Sequence, residues 1–171
     1  MSELPRLGLV LLLAGLLASC ASQTGSRMAN KTAGVRRISK VRTTAYTHTE
    51  KGGRRNAVGK RLCGHDICSA ASDWSRFPFG TKFRIVDTNE IFQIDDYGSA
   101  LIGTDTIDLY KTNRLAMRKW GVRHVDIDIL EWGSKEQSLQ ILTPRSRNRL
   151  VHRMILALQE KARTETTLRQ F

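Results

Sequence analysis

Thr106-Ile-Asp-Leu-Tyr-Lys-Thr-Asn-Arg-Leu-Ala-Met-Arg-Lys-Trp-Gly-Val-Arg-His-Val-Asp-Ile-Asp-Ile-Leu130 changes its hydrophobic period twice within one short stretch. Thr106 to Tyr110 is a brief run of β-favouring residues and reads as a strand. Asn113 to Trp120 reads as a short helix, with Thr112 able to cap its start, Leu115, Ala116 and Trp120 sharing a face, and Gly121 able to close it. His124 to Leu130 then alternates strictly, so Val125, Ile127 and Ile129 share one face and Asp126 and Asp128 are expected on the solvent side.

The same grammar extends outward. Lys82 to Val86 and Glu90 to Ile94 flank an Asp87-Thr-Asn turn and read as a hairpin, and Val41 to Tyr46 mixes β-branched and aromatic residues. Several short strands with one small helix predict a mainly β fold closed into a barrel. Beyond Trp132 a Ser-Lys-Glu-Gln linker and Pro144 lead into a basic cluster at Arg145, Arg147 and Arg149. Leu150, Val151, Met154, Ile155 and Leu158 then recur at helical spacing. This amphipathic helix either docks on the barrel or lays a basic face on an anionic bilayer, and docking is the simpler expectation.

The opposite end is different in kind. Arg6 precedes an apolar run, Leu7 to Leu17, that is too short to span a hydrocarbon layer and reads as an export signal. It closes in Leu17-Ala-Ser-Cys20, which resembles the bacterial lipoprotein box and marks Cys20 for lipid modification after removal of residues 1–19. Residues 20–40, rich in small polar and basic side chains, read as a flexible tether. The barrel domain then spans 41–133, and the linker and final helix span 134–171.

The 171 residues are 40% hydrophobic and 26% charged, with a formal charge of +12 that survives loss of the leader because Glu3 and Arg6 cancel. In an exported chain such a charge meets acidic wall polymer and anionic lipid rather than nucleic acid. With Cys20 lipidated, Cys63 and Cys68 remain four-residue-loop neighbours, and an oxidising compartment permits a disulfide that clips the loop between them. No histidine or cysteine spacing supports a metal site, and no phosphate- or dinucleotide-binding glycine pattern appears, so no cofactor is expected.

Three carboxylates stand out in this basic chain: Asp73 in Ala-Ala-Ser-Asp-Trp, Asp96 in Ile-Asp-Asp-Tyr-Gly-Ser, and Asp108 in Thr-Ile-Asp-Leu-Tyr. A glycosidic oxygen leaves readily only when protonated. A strand carboxyl can supply that proton near neutrality if burial or a second carboxylate raises its pKa. Aspartates beside glycine also form turns by accepting bonds from the backbone two residues on, the reading that suits Asp73. Tyr97 and Trp74, each adjoining an acid in a turn, are candidate partly open stacking surfaces for sugar rings.

Thr44-Ala-Tyr46, Ser72-Asp-Trp74, Phe79-Gly-Thr81, Asp96-Tyr-Gly98, Ile107-Asp-Leu-Tyr110 and Val125-Asp-Ile-Asp-Ile129 together resemble the 3D (three-aspartate) domain. That domain is the barrel of MltA-type lytic transglycosylases and of stationary-phase survival proteins. The resemblance covers about residues 42–132. It implies a six-stranded double-psi β-barrel and cleavage of the MurNAc–GlcNAc bond of peptidoglycan with a 1,6-anhydro product. It casts Asp108 as the acid/base, Asp96 as its orienting or charge-stabilising neighbour, and Asp73 as the first of the three aspartates; with Asp73, the turn aromatics Tyr97 and Trp74 and the basic Lys82 are the expected substrate contacts. A non-catalytic wall-binding or expansin-like barrel is the alternative. Ser99 and Ile102 replace a glycine and a lysine of the family pattern, and Asp105 reads as an insertion; Lys60, Arg61, Lys82 and Lys111 are possible basic substitutes.

Overall fold

A computed structural model describes residues 35–50 and 52–168. The export signal, Cys20 and most of the tether lie outside the described residues. Six strands, β1 (Arg36–Tyr46), β2 (Cys68–Ala71), β3 (Lys82–Ile85), β4 (Ile91–Asp96), β5 (Ile107–Tyr110) and β6 (Arg123–Glu131), close into a barrel in the order β1-β5-β2-β4-β3-β6. The pairs β1/β5 and β2/β4 are parallel, and the other four are antiparallel. The expected mainly β, six-stranded barrel with a C-terminal helix is therefore present. Alternation sends Ala70, Phe83, Ile85, Phe92, Ile94, Ile107, Leu109 and Ile127 into a fully buried core.

Several expectations need correction. β1 begins at Arg36, so the last residues assigned to the tether are strand. Lys40 sits in the left-handed region (φ 56°) at a break in the β1/β6 register, where its N–H donates to Asp126 Oδ1 at 2.9 Å. Asp128 is not a solvent-side carboxylate. Its strand neighbours across both ladders are Arg37 and Arg84, whose guanidinium groups lie 2.8 and 2.9 Å from its oxygens and cover it to 3% exposure. Hydrogen bonds from these two arginines hold its pKa down to about 2.

The helix α1 (Arg114–Trp120) is capped by Asn113, not Thr112: the Asn113 side chain accepts from Ala116 N at 2.8 Å. Gly121 closes it as expected, at φ 62° with its N–H on Met117 O. Trp120 is buried, but Leu115 is 79% exposed, because so short a helix offers the barrel only one edge. The supposed linker is a second helix, α2 (Lys135–Leu142). Ser134 caps it, and Ser138 Oγ accepts a bond from Phe79 N at 2.9 Å.

The final helix, α3 (Arg149–Leu168), is docked: Val151, Met154, Ile155 and Leu158 join the barrel's core cluster. Among the described residues no helix is long and apolar enough to cross a membrane. Two contacts of α3 reach the turn after β2. Trp74 N–H donates to Met154 Sδ at 3.2 Å, and Lys161 Nζ donates to Ser75 O at 2.6 Å. Between β6 and α2 the backbone passes so close to the Pro78–Thr81 turn that a Cβ on Gly133 would stand 2.2 Å from Phe79 O and 2.5 Å from Pro78 O.

Candidate functional site

β2 brings the two principal aspartates together. Ala71 pairs with Asp96 on the parallel neighbour β4 and with Asp108 on the antiparallel neighbour β5. Residues in register on adjacent strands share a face, so both carboxyls leave the barrel on the same outer side, about 9–10 Å apart at their Cα atoms. A bulge in the β2/β4 register, with Ala70 opposite Ile94 and Ala71 opposite Asp96, brings Asp95 toward this face as well. β1 adds Thr44, the register partner of Asp108, and Tyr46.

The carboxyls differ in their support. Asp108 Oδ1 accepts from Thr44 Oγ1 at 2.6 Å. Burial pushes its pKa up, Thr44 pulls it down, and Glu50 and Arg42 act in opposite senses. Asp96 Oδ1 accepts from Tyr97 N at 2.9 Å. Burial is the largest influence on it; the Tyr97 and Ala57 amides lower its pKa and the Asp95 charge raises it, for a net value of about 6. Asp95 is also pushed up by burial, although Asn56 Nδ2 and Ser69 Oγ both donate to its Oδ2 at 2.8 Å. Several carboxyls with raised pKa on one surface are what proton transfer near neutrality requires.

Tyr46 completes the face. Burial and then the charges of Asp96, Asp95 and Asp108 raise its pKa, so the phenol stays protonated. Its hydroxyl lies near enough to lower the pKa of Asp96, yet it is buried without a hydrogen bond of full geometry. Tyr46 also packs edge-on against Tyr110, whose hydroxyl meets His48 Nδ1 at 3.0 Å.

The remaining sequence candidates are placed differently. Asp73 is 3% exposed, and its two oxygens accept from Ser75 N at 2.8 Å and Gly103 N at 2.7 Å, tying the turn after β2 to the loop before β5. Trp74 is fully buried, not partly open: its indole N–H donates to the Asp96 carbonyl at 2.8 Å, and Phe79 and Tyr97 pack against its ring. Tyr97 does flank Asp96 and is half-buried beneath Arg145, which also donates to Ala57 O at 2.6 Å. Arg145 thereby holds both segments whose amides bond to Asp96. Lys82, on β3, is paired with Glu131 at 2.7 Å and stands opposite Gln93 of β4. Lys111 caps a different corner of the barrel over Phe92 and Trp120 and pairs with Glu90 at 2.8 Å. Asp105 pairs with Arg76 at 3.3 Å, and Ile102 is core.

The expected disulfide is absent: Cys63 and Cys68 are free thiols. Hydrogen bonds close this loop instead. Ser69 N donates to Cys63 O at 2.8 Å, Cys63 N donates to Ser69 Oγ at 3.0 Å, and Cys68 Sγ turns to His65 O at 3.1 Å.

Sequence reasoning missed Thr44, Asn56, Arg145 and the Tyr46 hydroxyl as parts of the site. Only Thr44 and Tyr46 left a signal, a period-two pair in the Thr44-Ala-Tyr46 motif.

No protein-family model matches the chain. No curated protein matches it either. Among solved structures, it is similar to MltA from E. coli at 23% identity and a TM-score of 0.36, over 46% of this chain. The chain spans 27% of the length of that structure.

Proposed function

We propose that this protein is a peptidoglycan lytic transglycosylase of the 3D-domain kind, exported and held in the cell envelope by lipid on Cys20. The observation that carries the activity is the placement of Asp96 and Asp108 on either side of Ala71, on one face, with both carboxyls biased toward protonation. In the proposed reaction Asp108 gives its proton to the glycosidic oxygen as the bond from C1 to that oxygen breaks. The resulting carboxylate takes the proton of the sugar's C6 hydroxyl as that oxygen bonds to C1, which regenerates the acid and closes a 1,6-anhydro ring without water. Asp96, ionised, stabilises the positive charge that develops at C1.

Incubation with purified peptidoglycan tests the proposal. Mass spectrometry should show 1,6-anhydro-muropeptides; hydrolysed products, or none together with retained sedimentation on murein, would instead favour a hydrolase or a wall-binding barrel.

Two further measurements isolate Asp96. Because it works as the carboxylate here, kcat/KM should rise as pH climbs through about 6, and Asp96→Asn should lose that limb. The same substitution should stabilise the fold at pH 8. A carboxyl whose folded pKa exceeds its unfolded value binds more protons when folded, so stability falls as pH rises from about 4 to 6 and stays lower above. Removing that penalty, less a weakened bond to the backbone, is worth about 1–2 kcal/mol, with no gain at pH 3.5. Thermal melts at the two pH values check it, and equal shifts would contradict the assignment.

A further inference from the structure

We infer a second saccharide site, separate from the aspartate face, that takes a carboxylate-bearing sugar on Trp132. Of the three tryptophans, Trp74 and Trp120 are core, whereas Trp132, just after β6, is 44% exposed. It is not loose: Phe77 lies parallel to it at 6.4 Å and 8°, and the Arg36 guanidinium stands 5.9 Å from its ring centre. A rigid, supported indole open to solvent offers a flat apolar surface for the C–H face of a pyranose at little entropic cost.

Trp132 lines a cleft of 740 Å³, a volume suited to a short oligosaccharide, together with Arg36, Arg76, Lys135, Lys161 and Glu160. Arg36 and Lys161 line the cleft beside Arg76, which is shared with Asp105 at 3.3 Å, and the one carboxylate in the lining, Glu160, is itself bonded to Arg163. Lys161 has its pKa pushed down by burial and then by the charges of Arg76 and Lys135, against the weaker opposing pull of Asp73 and Asp105. A bound anion would relieve that repulsion. The hydroxyls of Ser75 and Thr164 add groups suited to sugar hydroxyls. A neighbouring cleft of 400 Å³ shares Ser75, Arg76, Glu160 and Lys161, so the surface continues along α3 as a polymer would need. Nucleic acid is the weaker fit, because a strand-tracking groove stacks successive bases on several aromatic platforms and this cleft has one.

The site is independent of the cleavage proposal and can be tested without it. Full-length Asp108→Asn protein is titrated calorimetrically with the disaccharide of N-acetylglucosamine and N-acetylmuramic acid, and with neutral diacetylchitobiose. The acidic disaccharide should bind at least about tenfold more tightly than the neutral one, and Trp132→Ala should weaken it at least about tenfold. The double variant Arg36→Gln, Arg76→Gln should bring the acidic ligand down to the neutral one's affinity. Arg36 and Arg76 are exposed, so their double variant should keep the parent's thermal midpoint, and Trp132→Ala, which gives up its packing on Phe77, should still unfold in one cooperative transition. Equal affinity for the two sugars, full affinity in Trp132→Ala, no binding of the acidic sugar, or its displacement by a single-stranded oligonucleotide would each overturn the inference.

Discussion

Asp108→Asn should lower the release of anhydro products by about 10²- to 10⁴-fold, the usual worth of a positioned proton donor and acceptor. The substitution is nearly isosteric, and the amide oxygen can still accept the Thr44 hydroxyl that holds Asp108 at 2.6 Å. Folding should therefore survive, and a melting temperature no lower than the parent's would separate lost chemistry from lost structure. Product release is followed by mass spectrometry on purified peptidoglycan. If Asp108→Asn remains active while Asp96→Asn is dead, the acid is Asp96, whose pKa of about 6 already suits the task. If both remain active, the aspartate face is not the reaction centre.

Gly133→Ala should be the most destabilising glycine-to-alanine change among the described residues. The new Cβ would lie 2.2 Å from Phe79 O, 2.5 Å from Pro78 O and 2.6 Å from Thr81 N, all backbone atoms. None can yield cheaply, because Thr81 N is bonded to Pro78 O, Ser134 N to Phe79 O, and Gly133 N to Thr81 Oγ1. Relief means separating the turn after β2 from the start of α2. A cost of about 3 kcal/mol is expected, at the upper end for overpacking, with a melting temperature lower by roughly 10 °C. Gly52→Ala is the matched control: a Cβ there meets nothing within 4 Å, and stability should move by less than about 0.5 kcal/mol. A Gly133→Ala protein that melts with the parent would show that this crossing is not tightly packed.

The parts of the fold that could be read in the sequence are those where period and burial agree. β6 alternates because one face of it lines the core, and the β3–β4 hairpin is announced by its turn residues. β2 escaped notice because Cys68-Ser-Ala-Ala71 consists of small side chains with little strand preference, although this strand aligns Asp96 with Asp108. Alternation correctly gave Asp128 an outward direction but could not show that Arg37 and Arg84 cover it from both sides. The Ser134 cap was legible in principle, since Ser-Lys-Glu-Gln has a cap residue followed by good helix formers, yet polar composition made it read as a linker. Asp108 and Asp96 stood out through their motifs. Arg145 could not, because its role comes from a return of the chain across 88 residues to Ala57.

Met154 and Lys161 grip a turn whose Trp74 in turn bonds to the strand end carrying Asp96. The corner that carries Asp96 is thus braced by side chains that the ribosome adds late, and a nascent chain halted before Arg149 has the aspartates but not their buttress. Such a fragment should be inert even if its strands have paired.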